Sequence, residues 1–172
     1  MPYVFAGGRA ARDIKTFTEI VKLLPDIHFK CVFPENMISP EMRELSNLDI
    51  YCDIPSEQFY KIMNGATVCC IPVNRDAPAG LYTMQHAVQI GQPVVSTDTF
   101  SMRTIVPDDT CGFLLPMFDA KGMANKVKLL MFDKTLRASI ATNAKQNFKK
   151  FEPAEVGKQL CEAIDRFVNS VK

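Results

Sequence analysis

Short apolar runs and helix-period stripes alternate along this chain. Strand-like apolar runs fall at residues 3–6, 27–33, 49–52, 67–73, 93–96 and, briefly, 112–115. Between the first two, Ile14, Phe17, Ile20, Val21 and Leu24 lie on one helical stripe. A second helix carries Phe59, Ile62 and Met63, with Ser56 in position to cap its start and Gly65 to close it. A third should run over 81–90 and stop at Gly91, with Pro93 opening the next strand. Strands alternating with helices predict an α/β domain: a Rossmann-like, three-layer fold with a mostly parallel sheet of about six strands and helices on both faces. Beyond residue 115 the pattern becomes helical, near 119–132, 135–150 and 154–171. The last of these places Val156, Leu160, Ile164, Phe167 and Val171 at helical spacing. The run 35–47 is the least regular and reads as loop with a helical turn. No repeat or second core is visible, so 1–172 reads as one domain.

Composition narrows the function classes. A chain of 172 residues can bury a real core without disulfides or metals. The 20 basic and 19 acidic residues leave a net charge of +1, which gives no general attraction to nucleic acid or to an anionic membrane. Any cationic site must therefore be local. Six cysteines show no CxxC spacing, and several fall in strand-like runs such as 67–71, as expected of buried thiols in a reducing compartment rather than of disulfides or a zinc site. No signal peptide opens the chain and no apolar run is long enough to span a bilayer, so the expectation is a soluble, cytoplasmic domain.

Candidate chemistry concentrates in two strand-to-helix turns. The first, Gly7-Gly8-Arg9-Ala10-Ala11-Arg12-Asp13-Ile14-Lys15, crowds glycines and cations where backbone N–H groups and a helix N-terminus can converge on phosphate. With the helix beginning near Arg12 or Asp13, Lys15 sits in its first turn and Arg9 in the loop. Cations there oppose the helix dipole, and an anion between them would remove the conflict. The structural alternative is a solvated basic turn in which the glycines serve only a tight bend. The second turn, 74–81, also follows a buried strand and opens a helix, and its Ala79 and Gly80 would let backbone approach a second phosphate closely or simply link strand to helix. His86, about one and a half turns into that helix, is within reach of the same edge, although a lone histidine there also suits packing or surface. His28, flanked by apolar residues on a strand, reads as structural. No GxxxxGKS or GxxxxGKT motif is present, and Arg12 stands where a GxGxxG fingerprint needs its third glycine. Glu35, just past the second strand, is a weak candidate for the ribose-binding acid of a dinucleotide fold.

Taken in order, these segments resemble the C-terminal, donor-binding domain of GT-B-fold, family 4-like retaining glycosyltransferases. Phe5-Ala6-Gly7-Gly8-Arg9 followed by Lys15 is similar to that family's strand, glycine loop and GR(x5)K phosphate clamp. Ala79-Gly80-Leu81 through His86 to Gly91-Gln92-Pro93-Val94-Val95 is similar to its donor-loop helix and following strand. Thr97-Asp98, Val106-Pro107-Asp108-Asp109, Cys111-Gly112-Phe113-Leu114-Leu115 and Asp119 are similar to its closing sequence. The resemblance implies that Gly7, Gly8, Arg9 and Lys15 hold the diphosphate of a sugar nucleotide, and that Ala79, Gly80 and Leu81 offer amides to the distal phosphate or sugar. It also implies that main chain at Asp53 and Ile54 flanks the base and that His86 occupies the ribose position. Two departures stand out: the E(x7)E pattern of that family meets Pro78 and His86 here, so both carboxylates are absent.

The function expected from this resemblance is transfer of a glycosyl unit from a UDP- or GDP-linked donor to a glycan or lipid acceptor. No further cofactor and no metal are implied, nor is nucleic acid. The acceptor site, and any contact with a membrane, would come from an N-terminal domain that this chain does not include. The alternatives are a degenerate, non-catalytic module of the same fold that binds or regulates a partner, and, on Glu35 alone, a dinucleotide-dependent oxidoreductase.

Overall fold

The computed structural model describes residues 1–170. Six parallel strands form one sheet in the order β3-β2-β1-β4-β5-β6: β1 (Val4–Gly7), β2 (Phe29–Phe33), β3 (Leu48–Cys52), β4 (Val68–Ile71), β5 (Val94–Thr97) and β6 (Phe113–Leu115). The helices are α1 (Ile14–Leu23), α2 (Pro40–Arg43), α3 (Ser56–Asn64), α4 (Leu81–Gln89), α5 (Phe100–Arg103), α6 (Ala120–Phe132), α7 (Lys134–Phe148) and α8 (Pro153–Ser170).

The central strands β1 and β4 are fully buried apolar runs because both sheet faces are covered, while β2 and β3 toward the edge admit Lys30 and Asp49. Alternate residues divide between two cores. Val4, Ala6, Phe29, Cys31, Phe33, Val68, Cys70 and Val95 pack with α1 and α6 on one face. Phe5, Val32, Cys69, Ile71 and Val94 pack with α3, α4, α5 and α7 on the other. Burial pushes the thiols of Cys31 and Cys70 up to about 12, which keeps them protonated and inert at neutral pH.

Local chemistry sets the ends of several elements. Ser56 does not cap α3: Pro55, at φ −58°, turns the chain into the helix one residue earlier, so Ser56 becomes the first helical residue and no side chain caps it. The irregular run after β2 holds a 3-10 turn at Glu35–Met37 and the single turn of α2, which Ser39 caps. Strand β5 continues one residue past its expected end, and Thr97 uses that position. Its Oγ1 accepts the Val73 N–H at 2.9 Å and donates to the Val73 carbonyl at 3.2 Å, fixing the chain just beyond β4 where the second turn begins.

Helix α8 differs from the others. It lies against the 3-10 turn Lys149–Phe151 and buries none of its residues. Leu160 is 60% and Phe167 70% exposed on the expected stripe, with Val156, Ile164 and Val168 also outward. Val171, expected on the same stripe, lies outside the described residues. No described helix is long and apolar enough to cross a membrane.

The Thr97 bonds give the first prediction. Thr97→Val keeps the shape but leaves a buried N–H unpaired, and should lower the unfolding free energy by about 1–3 kcal/mol in urea titration. A loss within error of zero would show that this anchor is not needed.

Candidate functional site at the divergence of β1 and β4

Strand β1 leads through α1 to β2 on one side, and β4 leads through α4 to β5 on the other. Their carboxyl ends therefore open into a crevice at the switch point of the sheet, where ligands of such folds bind. The two turns singled out in the sequence flank it.

In the first turn Gly8 has φ +123°, a conformation that residues with a Cβ rarely adopt, and Ala11 has φ +51°. Asp13 is the N-cap of α1: its carboxylate accepts the Thr16 N–H at 3.0 Å and the Thr16 hydroxyl at 2.6 Å. The helix begins at Ile14, so Lys15 is its second residue, exposed and with no acidic neighbour in the first turn. The turn is tied to the segment after β4 by Asp13 N–H to the Pro72 carbonyl at 3.0 Å and Asn74 N–H to the Ala11 carbonyl at 3.1 Å.

Sequence reasoning passed over Arg12, which is the most constrained residue here. It is only 7% exposed. Its Nε donates to the Gly7 carbonyl at 2.7 Å, Nη1 to the Ala10 carbonyl at 3.1 Å, and Nη2 reaches the Thr83 hydroxyl on α4 at 3.4 Å. Burial pulls its pKa down to about 10, still well above neutrality. A Cβ on Gly8 would overlap the guanidinium, and one on Gly80 would lie 3.0 Å from Nη1. Both glycines thus face the same buried cation. The signal available in the sequence was the arginine at the third glycine position of the fingerprint.

A pocket of about 110 Å³ opens beside the first turn. It joins Gly8 and Arg9 to Asp53 and Ile54 from the end of β3, with Phe33, Phe59 and Tyr60 as apolar and aromatic wall. Four of the expected site residues thus meet in one place. Asp53 has φ +46°, and its carboxylate accepts the Glu35 N–H at 3.1 Å and lies 3.9 Å from Arg9 Nη2 across the mouth. Gly7 lies behind the wall, where a Cβ would press on the Phe59 ring at 2.9 Å. The Glu35 carboxylate pairs with Arg43, which leaves it turned toward α2 rather than poised for a ribose.

The second turn brings Ala79, Gly80 and Leu81 to the same edge. Gly80 is the N-cap of α4 at φ +84°, and no side chain caps the helix, so its first amides are available to water or an anion. His86 is not in the pocket wall. Its ring packs on Tyr60 with centroids 4.7 Å apart, and its Nε2 lies 2.8 Å from Asn64 Oδ1, one side chain behind the pocket. Lys15 likewise lies outside the pocket lining. Tyr82, 72% exposed on the first turn of α4, lies close enough to Tyr60 to raise the Tyr60 pKa. His28 packs beside the far strand, its Nε2 3.0 Å from Asp49 Oδ2, away from this edge.

Known proteins place this geometry. Residues 41–147, more than half of the chain, match the family described as glycosyl transferases group 1. The match takes in the second turn and His86 but begins after the first glycine turn. A phosphatidyl-myo-inositol mannosyltransferase of Mycolicibacterium smegmatis is 29% identical over 103 residues, covering 60% of this chain and 26% of that protein. Among solved structures, HepE of Anabaena, determined with UDP and glucose, superposes with a TM-score of 0.77 at 15% identity, over 96% of this chain and 48% of HepE. Sucrose-phosphate synthase from Thermosynechococcus elongatus gives 0.76 at 20% identity, over 99% of this chain and 46% of the synthase. The chain thus spans about a quarter of the mannosyltransferase and just under half of each of these two structures. The parallel sheet, the crevice between its diverging strands and the family match over β3 to α7 agree: this chain belongs to the group 1 glycosyl transferases, and its fold is the Rossmann-like α/β fold of GT-B glycosyltransferases.

Proposed function

We propose that this domain binds a nucleoside-diphosphate sugar and forms the donor half of a glycosyltransferase, which moves a hexose-like unit onto a glycan or lipid acceptor held by a second domain. The observation that carries this reading is the meeting of Gly8, Arg9, Asp53 and Ile54 in one pocket beside the uncapped start of α4. The apolar slot by Ile54 and Phe33 suits a base, and the cationic turn suits a diphosphate. Arg9 and Lys15, with amides at Gly80 and Leu81, would stabilise the negative charge that gathers on the departing diphosphate as the glycosidic bond breaks. The complex of HepE with UDP and glucose supports the ligand class. The exposed stripe on α8 is the kind of apolar surface that further polypeptide covers.

His86 takes the ribose position of the resembled family. A neutral imidazole there can make one hydrogen bond to ribose where a carboxylate would accept two. Turning that ring from Asn64 to a ribose hydroxyl is a local move, since both groups lie at the surface beside Tyr60. One observation favours the non-catalytic alternative: Pro78 and His86 leave the crevice without either acid of that pattern.

Calorimetry with UDP and GDP tests the assignment. The Arg9→Ala, Lys15→Ala double variant should bind the preferred diphosphate about tenfold or more weakly than wild type, since each lost bond to a charged group is worth roughly 1.5–3 kcal/mol. Equal affinity would remove the clamp, and a wild type that binds neither nucleotide at millimolar concentration would favour the non-catalytic module. His86→Ala should weaken the corresponding nucleoside by roughly two- to tenfold, the worth of one neutral hydrogen bond. An unchanged nucleoside affinity would take His86 out of the site.

A further inference from the structure

Arg9 lines the mouth of the pocket and Lys15 is exposed on α1, whereas Arg12 is buried behind that lining, between the two turns, with no counter-charge. Its partners, the carbonyls of Gly7 and Ala10 and the hydroxyl of Thr83, are all neutral. Among the described residues no carboxylate lies within ion-pair distance of it. A guanidinium carries five N–H donors, so these three bonds leave two unused. Burying an unpaired cation is strongly unfavourable, and cores avoid it unless an anion completes the site. The surroundings are shaped to the cation from both sides of the sheet's switch point: Gly8 and Gly80, both at positive φ, leave open the space that the guanidinium fills.

We propose that Arg12 is the floor cation of the sugar-nucleotide site, a positioning residue whose buried charge is completed by a diphosphate lying across the Gly8 and Gly80 turns. Its bonds to Gly7 and Thr83 hold those two turns at one separation, so that a single ligand can meet both. This rests on the nucleoside-diphosphate reading above and adds a cation that the surface clamp does not contain. A charge at this depth is screened far less by salt than Arg9, whose side chain is 77% exposed. Only an arginine fork can serve a strand end, a loop carbonyl and a helix hydroxyl together, which a lysine ammonium on a flexible stem does poorly.

The test is a ligand ladder. Uridine, UMP and UDP, and in parallel guanosine, GMP and GDP, are titrated calorimetrically into wild type, Arg12→Gln and Arg12→Lys. Arg12→Gln keeps a donor for the Gly7 carbonyl but removes the charge. It should weaken the diphosphate about tenfold or more while leaving the nucleoside within about twofold, and Arg12→Lys, which restores the charge without the fork, should recover only part of the loss. An equal loss at every rung would show that Arg12 only props the loop, and no loss at any rung would show that its charge is not felt. A wild type that binds neither UDP nor GDP would fail earlier, at the nucleotide reading itself. If Arg12→Gln does not fold, nitrogen-15 spectra of wild type decide. The Arg12 guanidinium resonances should shift with UDP or GDP and stay in place with the nucleoside, and resonances unmoved at saturating diphosphate would overturn the proposal.

Discussion

A positive charge held out of water is the most expensive feature of this domain, and much of the geometry around the crevice follows from where it is put. The Arg12 guanidinium sits at the point where β1 and β4 part, bonded to the end of one strand and to the helix that follows the other. To place it there, the chain needs a glycine above it at Gly8, a second beside it at Gly80, and a left-handed residue at Ala11 to turn back into α1. The loops cannot drift apart without breaking its bonds, nor close without displacing it. Thr97 adds a second tie by fixing Val73, whose chain pairs with Arg12 in a short antiparallel bridge. The sheet supplies the platform, and the buried cation sets how its two halves meet at the site.

The fold was legible to within a residue or two because strands of a parallel sheet covered on both faces are apolar along most of their length, with Lys30 and Asp49 admitted only toward the β2–β3 edge. Runs such as 67–73 therefore announce themselves, and glycines such as Gly91 close the intervening helices. What escaped was short or decided by a neighbour. Helix α5 is one turn, too brief for a period to show, and the start of α3 was set by Pro55 rather than by the hydroxyl of Ser56.

The site was half legible for a related reason. Gly8 and Arg9 were marked by the glycine turn after β1, whereas Asp53 and Ile54 came only from the family resemblance; all four follow strands, and the parallel topology brings them to one carboxyl edge. Arg12 did not announce its burial, because an arginine in a loop reads as solvent-exposed, and only contact with Thr83, 71 positions away, makes it internal. Phe59 and Tyr60 were hidden for the opposite reason. On α3 they look like core, and their role as pocket wall depends on β3 ending beside them. The clamp also outruns the family match, which begins at residue 41, so the first turn stands on geometry and on the order of its residues.

Helix α8 is eighteen residues long yet contributes nothing to either core. A helix of that length is only marginally stable in water unless its apolar face is packed. Its backbone hydrogen bonds can therefore open while the sheet and the crevice remain intact, as an independent low-stability unit. Covering the stripe would then do more than bury surface: it would draw the end of the chain into the domain's cooperative unit, so that the last helix folds with its neighbour and not with the sheet that precedes it.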